Sequence, residues 1–145
     1  MKYQERKMNL FSVPKKYYLA HCIAADLKMS AGIAVEFQRR FHLRGKIKKW
    51  QEFLADYEHY GERTCIQTGR VFNLITKAKS SGKPTYLSIA RAIYEMKCMV
   101  DILCVRYLAM PKIGCGLDRL SWPKVRSIIQ EEFKALPTEI LVCHL

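Results

Sequence analysis

The feature that most constrains the fold is a punctuation repeated along the chain. Short apolar runs end in small residues or a tight glycine turn, and an amphipathic stretch follows each. The plainest instance comes late: Val105, Tyr107, Leu108 and Met110 form an apolar run that stops at Pro111, a Gly-x-Gly turn occupies Gly114–Gly116, and Ser121 opens an amphipathic stretch through Phe133. An earlier run, Tyr17 to Ala25, is followed by the small residues of Met29–Ala34 and a helix-spaced stretch through about His42. Apolar runs this short, bounded by turn residues, suit strands buried on both faces, and parallel strands need helical crossovers between them. The expected fold is therefore α/β, with a mixed sheet covered on both faces.

The remaining segments fit that frame. Lys2 to Phe11 reads as a first strand ending near Asn9, broken off by Pro14. Lys46 to Tyr60 carries Ile47, Trp50, Phe53, Leu54 and Tyr57 at helical spacing and closes at Gly61. Thr64–Thr68 and Val71–Thr76 flank Gly69-Arg70 as a hairpin, and Lys77 stands where its second strand ends. Ala78 to Pro84 is a loop by composition. Thr85 then caps a long helix whose Tyr86, Ile89, Ala90, Ile93, Met96, Met99 and Val100 form one apolar stripe, which reads as core. Trp122 to Leu136 is a further helix, and Glu139 to Leu145 a last strand.

At 145 residues the chain has the commonest size for one domain, so a single domain over 1–145 and a monomer are expected. No apolar run approaches the ~20 residues of a membrane span, and Met1–Lys7 lacks the apolar stretch of a secretion signal. The expected location is the cytoplasm, or the nucleus of a eukaryote, with no membrane partner. Six cysteines include no C-x-x-C pair, so neither a metal site nor a disulfide framework is expected. Cys22 and Cys143 read as small core residues. Cys115, in a glycine loop beside a helix start, reads as a loop residue with no nearby histidine to make it a nucleophile. The formal net charge of +12 draws polyanions and favours a phosphate-bearing ligand, although a soluble basic surface accounts for it equally well.

In open α/β sheets ligands bind beyond the carboxyl ends of the strands. Three segments meet there: the loop from Asp26 to Ala34, Lys77 with the loop behind it, and Ile113 to Asp118. Small residues at strand-to-helix crossings let main-chain N–H groups approach a ligand, and a helix N-terminus behind them favours anions. Taken alone, Lys77 is equally a solvated strand-end lysine and Asp118 a turn carboxylate.

Five segments together carry a resemblance. Leu19-Ala20-His21-Cys22-Ile23, Met29-Ser30-Ala31-Gly32-Ile33-Ala34, Leu74-Ile75-Thr76-Lys77, Lys83-Pro84-Thr85-Tyr86 and Pro111 through Leu120 resemble, in order and with similar spacing, the macrodomains of the terminal ADP-ribose protein glycohydrolase type. The resemblance covers nearly the whole chain. It implies a three-layer α/β/α macrodomain that binds ADP-ribose and hydrolyses its bond to an acidic side chain, or to an O-acyl group, without a metal or other cofactor. It implies Lys77 as the nucleophile at the anomeric carbon of the distal ribose and Asp118 as its assistant. An amine attacks only when unprotonated, and burial or the neighbouring Lys79 and Lys83 would favour that form.

The same resemblance implies that amides of Gly32, Ile33 and Ala34 and of Gly114, Cys115, Gly116 and Leu117 cradle the diphosphate and ribose, with Ile113 lining the pocket. Ala24 and Asp26 would lie near the distal ribose, and Asn9 and Leu10 near the adenine. His21 reads as a hydrogen-bonded core residue. Two departures stand out. Met8-Asn9 replaces the family's Gly-Asp, so the adenine contact has no charge; the Asn-Ala-Ala-Asn and triple-glycine pattern of macrodomains broadly is replaced by Ile23-Ala24-Ala25-Asp26 and Ser30-Ala31-Gly32. The second departure favours the lysine route over water activation. The implied partners are ADP-ribose and protein ADP-ribosylated on glutamate or aspartate. The alternatives are a DNA ADP-ribosyl glycohydrolase of antitoxin type, for which the basic surface would meet nucleic acid, a non-catalytic ADP-ribose reader, and a phosphatase for ADP-ribose 1''-phosphate.

Overall fold

A computed structural model describes residues 1–55 and 63–145. Its centre is a six-stranded sheet built from β1 (Lys2–Lys7), β2 (Tyr18–Ala24), β3 (Cys65–Thr68), β4 (Val71–Lys77), β5 (Tyr107–Met110) and β6 (Glu139–His144). The strand order is β1-β6-β5-β2-β4-β3. Every neighbouring pair is parallel except β3 with β4, the expected hairpin, so the sheet is mixed. The continuous apolar character of β2, β4, β5 and β6 follows from this: each runs between two partners with helices above and below.

The helices divide between the faces. α3 (Tyr86–Ile102) and α4 (Trp122–Phe133) bury Ile89, Ile93, Met96, Val125, Ile129 and Phe133 against Phe72, Leu74, Leu108 and Val142 on one side. α1 (Ile33–Phe41) and α2 (Leu43–Ala55) bury Phe37, Leu43 and Ile47 against Leu19, Val71, Ala109 and Leu141 on the other. The result is the expected α/β fold of three layers. β1, at the sheet's edge, is clamped to α4 by Glu5, which accepts from Tyr3 Oη at 2.8 Å and Arg126 Nη1 at 3.2 Å.

Several boundaries differ from the sequence expectation, each for a local reason. β1 stops at Lys7, not Asn9, because Asn9 caps a 3-10 turn at Leu10–Ser12 by accepting the Phe11 N–H. α2 begins at Leu43, not Lys46: His42 adopts φ +51° and closes α1, and the buried Leu43 starts the next helix at once. Tyr57, Tyr60 and Gly61, expected to finish that helix, lie outside the described residues. β5 begins at Tyr107 because Cys104, at φ +54°, ends the turn after α3 and Val105 N–H bonds back to Val100 O. α3 carries the capping box that Thr85 announced, with Thr85 and Ser88 exchanging side-chain to backbone bonds.

Candidate functional site

A cleft of about 900 Å³ opens at the carboxyl ends of β2, β4, β5 and β6, a volume that suits a nucleotide-sized ligand. Its floor is prepared by a slip in the β2–β4 register between Ile23 and Ala24, which sets Ala24 opposite Lys77. Bulges of this kind re-aim a side chain where a strand ends. Lys77 Nζ donates to Asp118 Oδ1 at 2.6 Å, and both side chains are only 16% exposed. The sequence placed these two residues at one sheet edge; the structure brings their side chains into contact 41 positions apart.

One lip of the cleft is the loop between β5 and α4. Gly114 sits at φ +73°, a conformation that favours glycine whatever the space, and a Cβ there would lie 2.6 Å from Ile89 Cδ1, the tip of a side chain that would have to shift. Ile113 is buried beneath it. Not all of the expected amides are free. Cys115 N–H is spent on Lys112 O at 3.2 Å. Among the described residues no backbone oxygen accepts from the N–H groups of Gly116 and Leu117. Burial pushes the Cys115 thiol up from its ordinary range, and its Sγ donates to Ile113 O, so the helix start does not activate it. Burial, reinforced by the Asp118 charge, pushes Cys22 up to about 12.

The opposite lip is the loop between β2 and α1. Gly32 adopts φ +64° and stands against Leu117, whose Cδ1 lies 3.3 Å from where a Cβ would be. Ile33 and Ala34 open α1, and among the described residues their N–H groups also lack a backbone acceptor. Orphan amides thus line both walls of the same cleft, the arrangement that receives a phosphate. Two non-glycine residues of this lip, Leu27 at φ +57° and Met29 at φ +47°, are held in the left-handed region and buried. Arg44 staples the strained segment from α2, donating through Nε to Leu27 O at 2.8 Å and through Nη2 to Lys28 O at 2.5 Å.

Asp26, expected near the distal ribose, is not part of the cleft lining. Its carboxylate accepts the Ser80 N–H and hydroxyl, both at 2.7 Å, and the Lys28 N–H at 3.1 Å. These bonds, led by the Ser80 N–H, hold the carboxyl down at about 2. Asp26 is therefore a tie between two loops. Lys83, expected to crowd Lys77 electrostatically, instead donates to Leu117 O at 3.0 Å.

Asn9 and Leu10 line the far end of the cleft with Met8 and Phe11. The Asn9 side-chain oxygen is engaged by Phe11 N–H at 2.9 Å, and the Arg40 guanidinium lies 4.6 Å above the Phe11 ring. Ala24 and all the glycine-loop positions named above are in the lining. Sequence reading missed Arg44, Ser80 and the Phe11–Arg40 stack. Arg40 and Arg44 belong to a basic run whose members look alike in sequence, and no local pattern distinguishes a staple from a solvated charge. A smaller cavity of about 490 Å³, lined in part by Gln51, Arg63, Thr64 and Arg91, adjoins the cleft at Lys77, the residue common to both linings.

Comparison with known proteins gives a consistent result. The chain is 42% identical over 141 residues to the human ADP-ribose glycohydrolase OARD1, covering 96% of this chain and 89% of that protein. The solved macrodomain of Thermus aquaticus DarG superposes with a TM-score of 0.78 at 23% identity, over 99% of this chain and 98% of that one. Thermosipho africanus DarTG, solved in complex with ADP-ribose, matches with a TM-score of 0.70 at 14% identity, over 92% of this chain and 39% of that one. No family model matches the chain.

Proposed function

The chain belongs to the ADP-ribose glycohydrolase family of macrodomains, and from that premise we propose that it is a hydrolase releasing ADP-ribose from ester linkage to acidic protein side chains. Lys77 is the nucleophile and Asp118 its proton partner. The 2.6 Å contact between Lys77 Nζ and Asp118 Oδ1 carries this reading. Both side chains are only 16% exposed, and a solvated lysine has no need of a carboxylate held this closely.

The orphan amides and the cleft's extent support one orientation of the ligand. With the diphosphate on the amides of Ile33, Ala34, Gly116 and Leu117, one ribose reaches Lys77 and the nucleoside extends towards Asn9, Leu10 and Phe11. Asp118 takes the proton that Lys77 must shed, and the freed amine attacks the anomeric carbon of the distal ribose. The new bond joins Nζ to that carbon. The bond from the carbon to the acyl oxygen breaks, and the carboxylate leaves with its electron pair, a leaving group that needs no protonation. Water then adds at the same carbon, the amine departs and regains from Asp118 the proton it gave up, the regenerated carboxylate takes the water's surplus proton and passes it to solvent, and ADP-ribose is released.

The test is to trap the intermediate. On an ester-linked ADP-ribosyl protein, mass spectrometry of the quenched reaction is expected to find the adduct on Lys77, and Lys77→Ala is expected to lose turnover while keeping ADP-ribose affinity. Wild-type turnover by Lys77→Ala overturns the mechanism, and a wild-type protein silent on every linkage leaves only a reader. The net charge of +12, with Arg39 and Arg40 on the cleft rim, supports nucleic acid as a second carrier of the ADP-ribose. Activity on an ADP-ribosylated DNA strand alone would replace the protein-ester version with that one.

A further inference from the structure

We propose that Lys83 is a positioning residue for Asp118: by holding the Leu117 carbonyl it fixes the peptide that leads into Asp118 and so aims the carboxylate at Lys77. The inference rests on the Lys77–Asp118 reading above and adds a residue to which that reading gives no role.

The need for such a residue comes from how little else holds the turn. Gly116 is exposed, and Leu117 is 63% exposed. The N–H groups of both have no backbone acceptor among the described residues, as a phosphate seat requires. The turn's own bond runs from Arg119 N–H to Gly116 O at 3.2 Å. The wider loop is closed by Leu120 N–H to Gly114 O at 2.8 Å, and at Leu117 and Asp118 themselves the ties among the described residues are the Leu117 side chain against Gly32, the Lys83 Nζ bond to Leu117 O at 3.0 Å, and the Lys77–Asp118 contact. The Leu117 carbonyl and the Asp118 nitrogen share one planar unit, so a bond that fixes the first fixes the second.

Lys83 is suited to the task because its own backbone is well anchored. It precedes the buried Pro84 and the Thr85–Ser88 capping box that starts α3. Three positions before it, Ser80 is tied to Asp26, and Gly82 N–H bonds to Lys79 O at 2.9 Å. Among the described residues Lys83 has no carboxylate partner, so its ammonium is committed to the carbonyl. The segment from Lys77 to Lys83 thus ties to both lips: Ser80 to the β2–α1 loop, Lys77 and Lys83 to the β5–α4 loop.

The test compares Lys83→Met, which keeps the stem but cannot donate, with Lys83→Arg, which can. Misplacing a catalytic group by a fraction of an ångström costs rate more than binding, so Lys83→Met is expected to lower kcat about 10- to 100-fold with ADP-ribose Kd changed less than about threefold. Lys83→Arg is expected to recover most of that loss, and the rate of adduct formation on Lys77 should follow kcat in both variants. The proposal is overturned if Lys83→Met keeps kcat within about twofold, if the loss falls on Kd instead, which would make Lys83 a ligand contact, or if Lys83→Arg is no better than Lys83→Met. Lys77→Ala separates the two claims. Turnover by that variant defeats the underlying mechanism, whereas an inactive Lys77→Ala beside a fully active Lys83→Met defeats only the role of Lys83.

Discussion

The two lips of the cleft present the same thing to a ligand, a short row of unpaired N–H groups, and reach it by opposite routes. The β5–α4 lip turns on its own glycine: Gly114 takes φ +73°, with the Ile89 tip of α3 packed where a Cβ would sit. The β2–α1 lip also has a left-handed glycine, Gly32 at φ +64°, but the segment that leads to it is shaped from outside. Leu27 and Met29 occupy left-handed conformations that cost about 1 kcal/mol or more each, and they are kept there by burial and by the Arg44 staple. A loop whose shape resides in a glycine can be broken only at the glycine. One whose shape is imposed by tertiary contacts can be loosened from a neighbouring helix without touching the loop.

Gly114→Ala is the strongest way to test the first half of that contrast. Alanine resists this backbone conformation and its methyl group would push the Ile89 tip aside, so a loss of about 1–3 kcal/mol in unfolding free energy is expected, with ADP-ribose binding abolished. Gly116→Ala is the control, because a Cβ there meets nothing within 4 Å and its φ is not left-handed. Urea unfolding and titration calorimetry on the two variants decide the matter; equal effects would mean that the lip is not held by Gly114.

Arg44→Met tests the other half. Two charge-assisted bonds to carbonyls vanish while the stem of the side chain remains, which frees the segment to relax from Leu27 and Met29 into ordinary conformations. ADP-ribose Kd is expected to rise about tenfold, with the unfolding midpoint changed far less than in Gly114→Ala. Retention of wild-type affinity would show that burial alone holds the β2–α1 lip.

The contrast also explains what could be read in the sequence. The strand-turn-helix of Leu108–Phe133, the run of Tyr17–Ala25 and the hairpin around Gly69 follow from local pattern, and their assembly into a covered mixed sheet follows from the rules of parallel strands. The glycine lip was legible for the same reason, and Lys77 and Asp118 were legible as neighbours at a sheet edge, though not as a 2.6 Å pair. What the pattern could not carry were contacts between segments far apart. The resemblance implies Asp26 near the distal ribose, and nothing in the local pattern announces that Ser80, 54 residues on, binds its carboxylate. Arg44 looked like one charge among many. Both concern hydrogen bonds whose partners sequence order does not reveal.

The smallest expected effect sharpens the contrast by pH. The layer beneath the β2–α1 lip contains His21, wholly buried, stacked 3.9 Å from Phe37 of α1 and 2.7 Å from Asn73 Oδ1 through Nε2. The Asn73 amide nitrogen donates to Ile66 O and Thr68 Oγ1, so its oxygen faces His21 as acceptor and Nε2 carries the proton. Nδ1 is left buried with no partner. A second proton there would have no acceptor, and burial outweighs the Asn73 bond, bringing the imidazole down to about 4. The native state therefore stays neutral where the unfolded chain, titrating near 6.5, takes up a proton. The stability present above pH 6.5 falls as pH drops towards 4, by about 1 kcal/mol between pH 7.5 and 5.5. Gly114 and Ile89 have no such group between them, so amide exchange, corrected for its intrinsic pH dependence, should show protection falling first around Phe37 in α1 and later around Ile89 in α3. Simultaneous loss on both faces would mean that the two lips share one stability, and that the locally shaped lip is no more independent than the imposed one.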